Sequence, residues 1–448
     1  MIRPRHWLFV TLAALYSLPS LRADDWPQWL GPKRDSVWRE TGILETFPAA
    51  GPKVLWRQKI AGGYAGPAVA DGRVFVADFL TDTDTRAASA PDKRPAIEGQ
   101  ERILCFDAKS GEPLWTHTDK CTYGISYPAG PRCTPTVHQG KVYSLGAEGN
   151  LFCLDAARGN VLWSKDFKRD YKAKTPIWGF CGHPLVDGRK LICVVGGEDG
   201  VVYAFDKDTG KEIWHALSAR EPGYSPPTII EAGGTRQLLI WHVESLNSLD
   251  PETGKPYWSV PLEPSFGMSI MAPRQSGDVL FAGGIGGKSV LLKLAADRPA
   301  ATELWRGSMK TGASPVNSTP FLENGFMYAV DQPGALLGVN LENGARVWQT
   351  YRPVAGVDES RPVNSGTAFL VKNGNRFFLA SETGHLIIAR LSPRGYEEIS
   401  RWKMLEPTGV AIGRPDRVLW SHPAFANKCV YARNDQELIC VSLAATSP

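Results

Sequence analysis

The pattern D-x-x-x-G-x-x-x-W, returning at blade-sized intervals, constrains this chain more than any other feature. It reads DAKSGEPLW from Asp107 to Trp115, DAARGNVLW from Asp155 to Trp163, DKDTGKEIW from Asp206 to Trp214 and DPETGKPYW from Asp250 to Trp258. NLENGARVW, from Asn340 to Trp348, changes only the first residue. Each motif has the chemistry of a tight hairpin. The Asp or Asn side chain accepts turn amides, the Gly supplies the positive φ that closes a short loop, and the Trp lies on the outgoing strand. A β-rich run such as VVYAF or LFCLD precedes each motif, and a second run such as RVFVADF or KVYSLGA precedes that. Each unit is therefore expected to be a meander of four short strands.

Trp56, Trp115, Trp163, Trp214, Trp258, Trp305, Trp348 and Trp402 mark one position per unit, 43 to 59 residues apart, which predicts eight units. The copies ending at Trp305 and Trp402 have lost the Asp and Gly spacing and are assigned by register. The last segment, KCVYARNDQELICVSL, ends after three strands without a Trp, and KVLWRQ around Trp56 supplies the missing strand. That permutation closes a ring and removes two exposed sheet edges, which an open solenoid has no use for. The expected fold is all-β: an eight-bladed β-propeller of four-stranded antiparallel blades, the ring closed by an N-terminal strand joining the last blade. The tryptophans are read as structural wedges between blades rather than ligand-stacking groups. A WD40 assignment is excluded because no Asp follows these tryptophans and the Gly-His opening is absent.

The repeat resembles that of the pyrroloquinoline quinone (PQQ)-like propeller family, over nearly all of Lys53 to Leu443. The lead-in DWPQWLGPKRD (Asp24 to Asp35) and GGYAGPAVADGRVFVADF (Gly62 to Phe79) are similar to exported bacterial proteins of this type. The predicted organisation is a signal peptide over 1–23, a lead-in or cap over 24–52 and a single propeller over 53–448. The leader has a basic start at Arg3, Arg5 and His6, an apolar stretch from Trp7 to Leu18, and Ala23 before Asp24 as a cleavage point. Its apolar run is shorter than the roughly 20 residues of a membrane span. Periplasmic or secreted localisation is expected, with no lipid-accepting Cys at the cleavage point. The formal charge of +4 falls to +1 without the leader's Arg3, Arg5 and Arg22, leaving no nucleic-acid footprint.

Function is expected where the innermost strands begin, at GPAV (Gly66), TPTV (Thr134), HPLV (His183), PPTI (Pro226), TPFL (Thr319) and HPAF (His422). These starts converge on one mouth of the channel, the default ligand site. The connections leading into them carry the candidate ligand-binding residues Tyr64, Arg132, Trp178, His183, Tyr224, Asn317, Arg361, Asn364, Trp420 and His422, together with Tyr127. His183 and His422, in equivalent positions, are read as hydrogen-bonded rim histidines, since a metal usually wants three or four convergent ligands. The polar insertion from Thr81 to Gln100 should overhang the same face, as a disordered loop rather than a lid. AGGIGGKS (Ala282 to Ser289) lacks the first Gly of a phosphate loop and leads into strand-like VLLKL, so it is read as a hairpin.

Cys105, Cys153, Cys193, Cys429 and Cys440 sit in apolar runs and are expected to be buried small hydrophobes. Cys121, Cys133 and Cys181, in predicted loops, are the disulfide candidates. Two function classes follow from the resemblance. One is a non-catalytic binding scaffold of the BamB type, with a protein or glycan partner, no cofactor and a monomeric state; the BamB type is a lipoprotein, whereas this chain has no Cys in that place. The other is a PQQ and Ca²⁺-dependent oxidoreductase of the quinoprotein dehydrogenase type, with Asp358 or Glu359 as its acid. Those enzymes carry adjacent cysteines over the quinone and no two cysteines here are neighbours, which favours the scaffold.

Overall fold

The computed structural model describes residues 24–89, 94–356 and 361–445. The predicted leader, Asp358 and Glu359 lie outside them. Among the described residues, eight four-stranded antiparallel sheets form the blades. Blade 1 consists of Ala68–Ala70, Arg73–Leu80, Ile97–Asp107 and Pro113–Tyr123. Blade 8 consists of Ala424–Ala426, Cys429–Arg433 and Glu437–Ser442, and its outermost strand is Val54–Lys59. That closing strand pairs Trp56 with Cys440 and Lys59 with Glu437.

The repeat motif explains how blades hold one another. Asp107 Oδ1 accepts the Lys109 and Ser110 amides at 2.9 and 2.8 Å, and Asp155 and Asp206 repeat the arrangement. Each motif Gly is left-handed, and the Trp of the preceding blade lies flat against it. A Cβ on Gly111 would meet Trp56 at 2.7 Å, one on Gly210 would meet Trp163 at 2.8 Å, and one on Gly254 would meet Trp214 at 2.7 Å. The indole then donates across the blade boundary: Trp56 to Ala108 O at 3.0 Å, Trp115 to Ala156 O at 3.1 Å and Trp305 to Leu341 O at 2.8 Å. Gly and Trp of the motif thus serve different interfaces. The wedge reading holds, as does the register of the two degenerate copies, whose outer strands are Ala301–Arg306 and Gly395–Lys403.

The lead-in crosses the channel at the end opposite the loop-rich mouth. Trp26 pairs with Val69 in blade 1, the Val137 amide reaches Pro27 O at 2.7 Å, Arg274 donates to Arg34 O and Asp35 O, and Asn373 Nδ2 donates to Trp38 O and Glu40 O. Trp26 and Trp38 are buried with Phe425 of blade 8. One short segment therefore ties blades far apart in sequence.

Two expectations need correction. Ile97–Gln100 of the insertion extend a strand paired with Lys120–Tyr123, because Ile97 packs into a cluster around stacked Phe79 and Tyr123. The described part of the insertion is thus partly sheet, where a disordered loop was expected. None of the three disulfide candidates is bonded: Cys121 lies within the outermost strand of blade 1, Cys133 is buried, and Cys181 Sγ points to the Trp178 and Gly179 carbonyls. The other five cysteines are buried as expected. Ala282–Ser289 is a hairpin turn, with Gly284 opposite Lys288.

Candidate functional site

The connections between blades surround one cavity of about 1130 Å³ at the channel mouth. All but the connection leading into blade 5 supply at least one of the predicted residues. Tyr64 precedes blade 1, Arg132 and Tyr127 precede blade 2, Trp178 and His183 blade 3, Tyr224 blade 4, Asn317 blade 6, Asn364 blade 7, and Trp420 and His422 blade 8; all line the cavity. Arg361 does not: it is exposed and outside the lining. Among the described residues, none of the 81–100 insertion lines it either.

Placement in the cavity does not make each side chain available to a ligand. Arg132 donates to the carbonyls of Gly130, Ser126 and Tyr127 and stacks over Tyr64, 5.1 Å from the ring centroid. Its donors organise the loop instead of facing the opening. The two histidines are at the floor and not the rim, flanking Trp29 of the lead-in. His183 stacks on that indole at 4.7 Å and His422 meets it edge-on at 5.6 Å. His183 Nδ1 accepts the Thr134 amide at 3.0 Å, so its proton resides on Nε2. Burial, with Arg34 beside it, holds His183 well below the ordinary imidazole range, and burial pushes His422 down to about 3. Both are neutral at pH 7.

A recurrent acid that sequence inspection passed over fixes the mouth. Glu148 Oε1 accepts the Gly124 amide at 2.6 Å, Asp331 the Ser314 amide at 2.6 Å and Glu382 the Thr367 amide at 3.1 Å. Each acid sits beside the turn between the second and third strands of its blade and holds the connection leading into that blade. The signal was an acid just before a turn glycine: AEGN, DQPG, SETG. Glu382, fully buried, also accepts from Trp420 Nε1 at 2.8 Å and pairs with Arg414 at 2.5 Å. Its carboxyl is held above the ordinary range by burial, against the pull of Arg414. Replacing Arg414 with Ala strands that carboxylate, and the expected loss is about 3 kcal/mol of stability in chemical denaturation at pH 7. A change below about 0.5 kcal/mol would show that the pair is not needed there.

Sequence reasoning also missed the wall between blades 4 and 5. Phe266, Met268, Ile270, Met271 and Ile285 make it apolar. Phe266 is 79% exposed with φ 60°, a left-handed conformation unusual for a bulky side chain.

Among the described residues, the cavity's carboxylates do not cluster as a Ca²⁺ site requires, and Asp358 and Glu359 lie outside them. A Ca²⁺ takes six to eight oxygen ligands. The lining carboxylates are Glu221 and Glu263; Glu263 pairs with Arg220 at 2.6 Å, and no group of three His, Cys, Asp or Glu converges among the described residues.

The comparisons with known proteins agree with the architecture. The family model described as "Outer membrane protein assembly factor BamB" matches residues 99–235 and 243–448. BamB of Shewanella oneidensis is 25% identical over 231 residues, 48% of this chain and 56% of that protein. Quinohemoprotein alcohol dehydrogenase ADH-IIG of Pseudomonas putida is 31% identical over 134 residues, 28% of this chain and 18% of the enzyme. The chain thus spans about half the length of the first of these relatives and a fifth of the second. The crystal structure of BamB from Moraxella catarrhalis superposes with a TM-score of 0.56 at 14% identity, over 88% of this chain and 99% of that one, a likeness of fold. Since the matched residues make up more than half of a chain whose repeats close into this ring, the protein belongs to the outer membrane protein assembly factor BamB family of PQQ-like repeat propellers.

Proposed function

We propose that this protein is a non-catalytic scaffold, exported to the periplasm, that holds a partner protein at the loop-rich mouth of its propeller. The observation that carries the reading is the lining of the mouth. It is a wide opening ringed by Tyr64, Trp178, Tyr224 and Trp420 with an exposed apolar lip at Phe266, and of its two lining carboxylates Glu263 is paired with Arg220. Such a surface suits contact with a large partner better than closure around a small substrate. The description of the family as an assembly factor, and the leader-like first 23 residues, point the same way.

A second reading, a PQQ-dependent oxidoreductase, is favoured by the local identity to the alcohol dehydrogenase. Calorimetric titration of PQQ with Ca²⁺ present separates the two, and no saturable heat is expected. Saturable binding that disappears in an Asp358→Ala, Glu359→Ala double variant would overturn the scaffold reading. A photo-crosslinking residue at Asn364, on the mouth, is expected to trap a discrete protein in the cell envelope, whereas one at Leu162, on the outer edge of blade 2, is not. Equal labelling from both positions counts against the mouth.

A further inference from the structure

The lip between blades 4 and 5 is built unlike the rest of the mouth. Phe266 is held left-handed, where the Cβ of an L-residue crowds the following carbonyl, and its ring is 79% exposed. Neither the conformation nor the exposure serves folding. Across the Gly286–Gly287 turn lies Met309, 60% exposed, with its Sδ 3.3 Å from where a Gly287 Cβ would stand; on the near side, a Cβ on Gly286 would collide with Ser265 Oγ. The two glycines therefore let a pair of exposed apolar side chains flank one turn above the apolar cavity wall. Large exposed apolar groups gathered at one place mark an interaction site more often than isolated ones do.

Charge around the pair is asymmetric. Lys288 directly follows the turn and Lys310 follows Met309, and neither has a carboxylate within 4.0 Å among the described residues. On the other flank, Glu221 Oε2 lies 4.0 Å from the Cβ position of Gly267, and no cation among the described residues is paired with it. The lip thus presents an apolar anchor with positive charge on the Met309 side and negative charge on the Phe266 side.

We infer that this lip is the anchor for the partner: an extended polypeptide segment that lays an aromatic side chain between Phe266 and Met309, with an acidic residue toward Lys288 and Lys310 and a basic residue toward Glu221. The inference rests on the scaffold reading and adds the chemistry of the segment. Burying one aromatic residue there supplies the affinity, and the two charged flanks set the direction of the chain. Polar segments without the aromatic gain nothing from the lip, and segments of reversed polarity meet like charges.

The test uses the full chain and three fluorescein-labelled ten-residue peptides, each with a central Phe. One has Lys before and Asp after it, one has the two exchanged, and one has Ser at both places. Fluorescence anisotropy at low salt should rank one charged order about five-fold above the other, with the Ser peptide between them. Phe266→Gly should weaken the best peptide about ten-fold while leaving the melting temperature unchanged or raised, because Gly relieves the left-handed backbone. Lys288→Glu should reverse the preference between the charged peptides. Binding that ignores Phe266→Gly and Lys288→Glu but is lost in Trp420→Ala overturns the lip while sparing the mouth. Absence of binding by all three peptides overturns the lip, and the crosslinking experiment at Asn364 then decides the scaffold reading independently.

Discussion

A chain that starts at Ile60, without Val54–Lys59, is expected to lose cooperative unfolding and to aggregate, whereas a chain that starts at Lys53, lacking only the lead-in, should still melt in one transition at a lower temperature. The closing strand supplies a full rung of blade 8 and covers Leu438, Ile439, Cys440 and Val441, all fully buried. Trp56 helps seal the boundary to blade 1 by lying on Gly111 and donating to Ala108 O. Losing a buried Trp costs about 3–5 kcal/mol, and the bared edge adds a template for intermolecular pairing. The lead-in contributes differently, by burying Trp26 and Trp38 across blades already closed. Circular dichroism melts and size-exclusion chromatography of the two truncations report the difference. Equal melting temperatures would show that the ring does not depend on this strand.

Stability should also fall on mild acidification, and the histidines at the channel floor should account for most of it. The folded state keeps His422 neutral down to about pH 3, and His183 is displaced in the same direction. An unfolded imidazole takes up its proton near pH 6.5. Their contribution is therefore complete above that value and is lost as pH falls below it, because the unfolded chain then binds protons the folded one excludes. Carboxyls that burial raises, Asp119 among them, act oppositely. Burial raises Glu101 and Glu382 in the folded state, so they favour folding increasingly as pH falls through their raised values toward the ordinary carboxylate range. His422→Phe should isolate the imidazole, since a phenyl ring can keep the contacts with Phe369 and Trp29. Denaturation between pH 6.5 and pH 5 should show the loss of stability shrinking by about 2 kcal/mol in that variant. An unchanged pH dependence would place the acid sensitivity elsewhere.

Much of the candidate site was legible before any coordinates, since the small-residue and proline starts of the inner strands located the mouth and nine of ten predicted residues line it. What the sequence did not reveal was their roles. Arg132 reads as a ligand-binding residue until its guanidinium is found clasping three carbonyls of its own loop. His183 and His422 read as rim residues until Trp29, more than a hundred residues earlier, is found between them. Phe266 carried no motif, and only its backbone angle and exposure distinguish it.

The sequence by itself determined the hairpins, their number and the order of the strands. Asp accepting turn amides, Gly taking a positive φ and apolar alternation act over a few residues and are written locally in each unit. It also determined that the ring closes, because a final unit one strand short and a spare strand at the other end have one economical solution. Only the tertiary structure decided which surfaces the motif residues serve: the Trp of one blade covers the Gly of the next, the lead-in plugs the far end of the channel, and an acid at a turn holds the connection leading into its blade. These contacts join residues far apart in sequence or in neighbouring units, and their partners are chosen by the curvature of the ring and by burial within it, neither of which exists until all eight blades are in place.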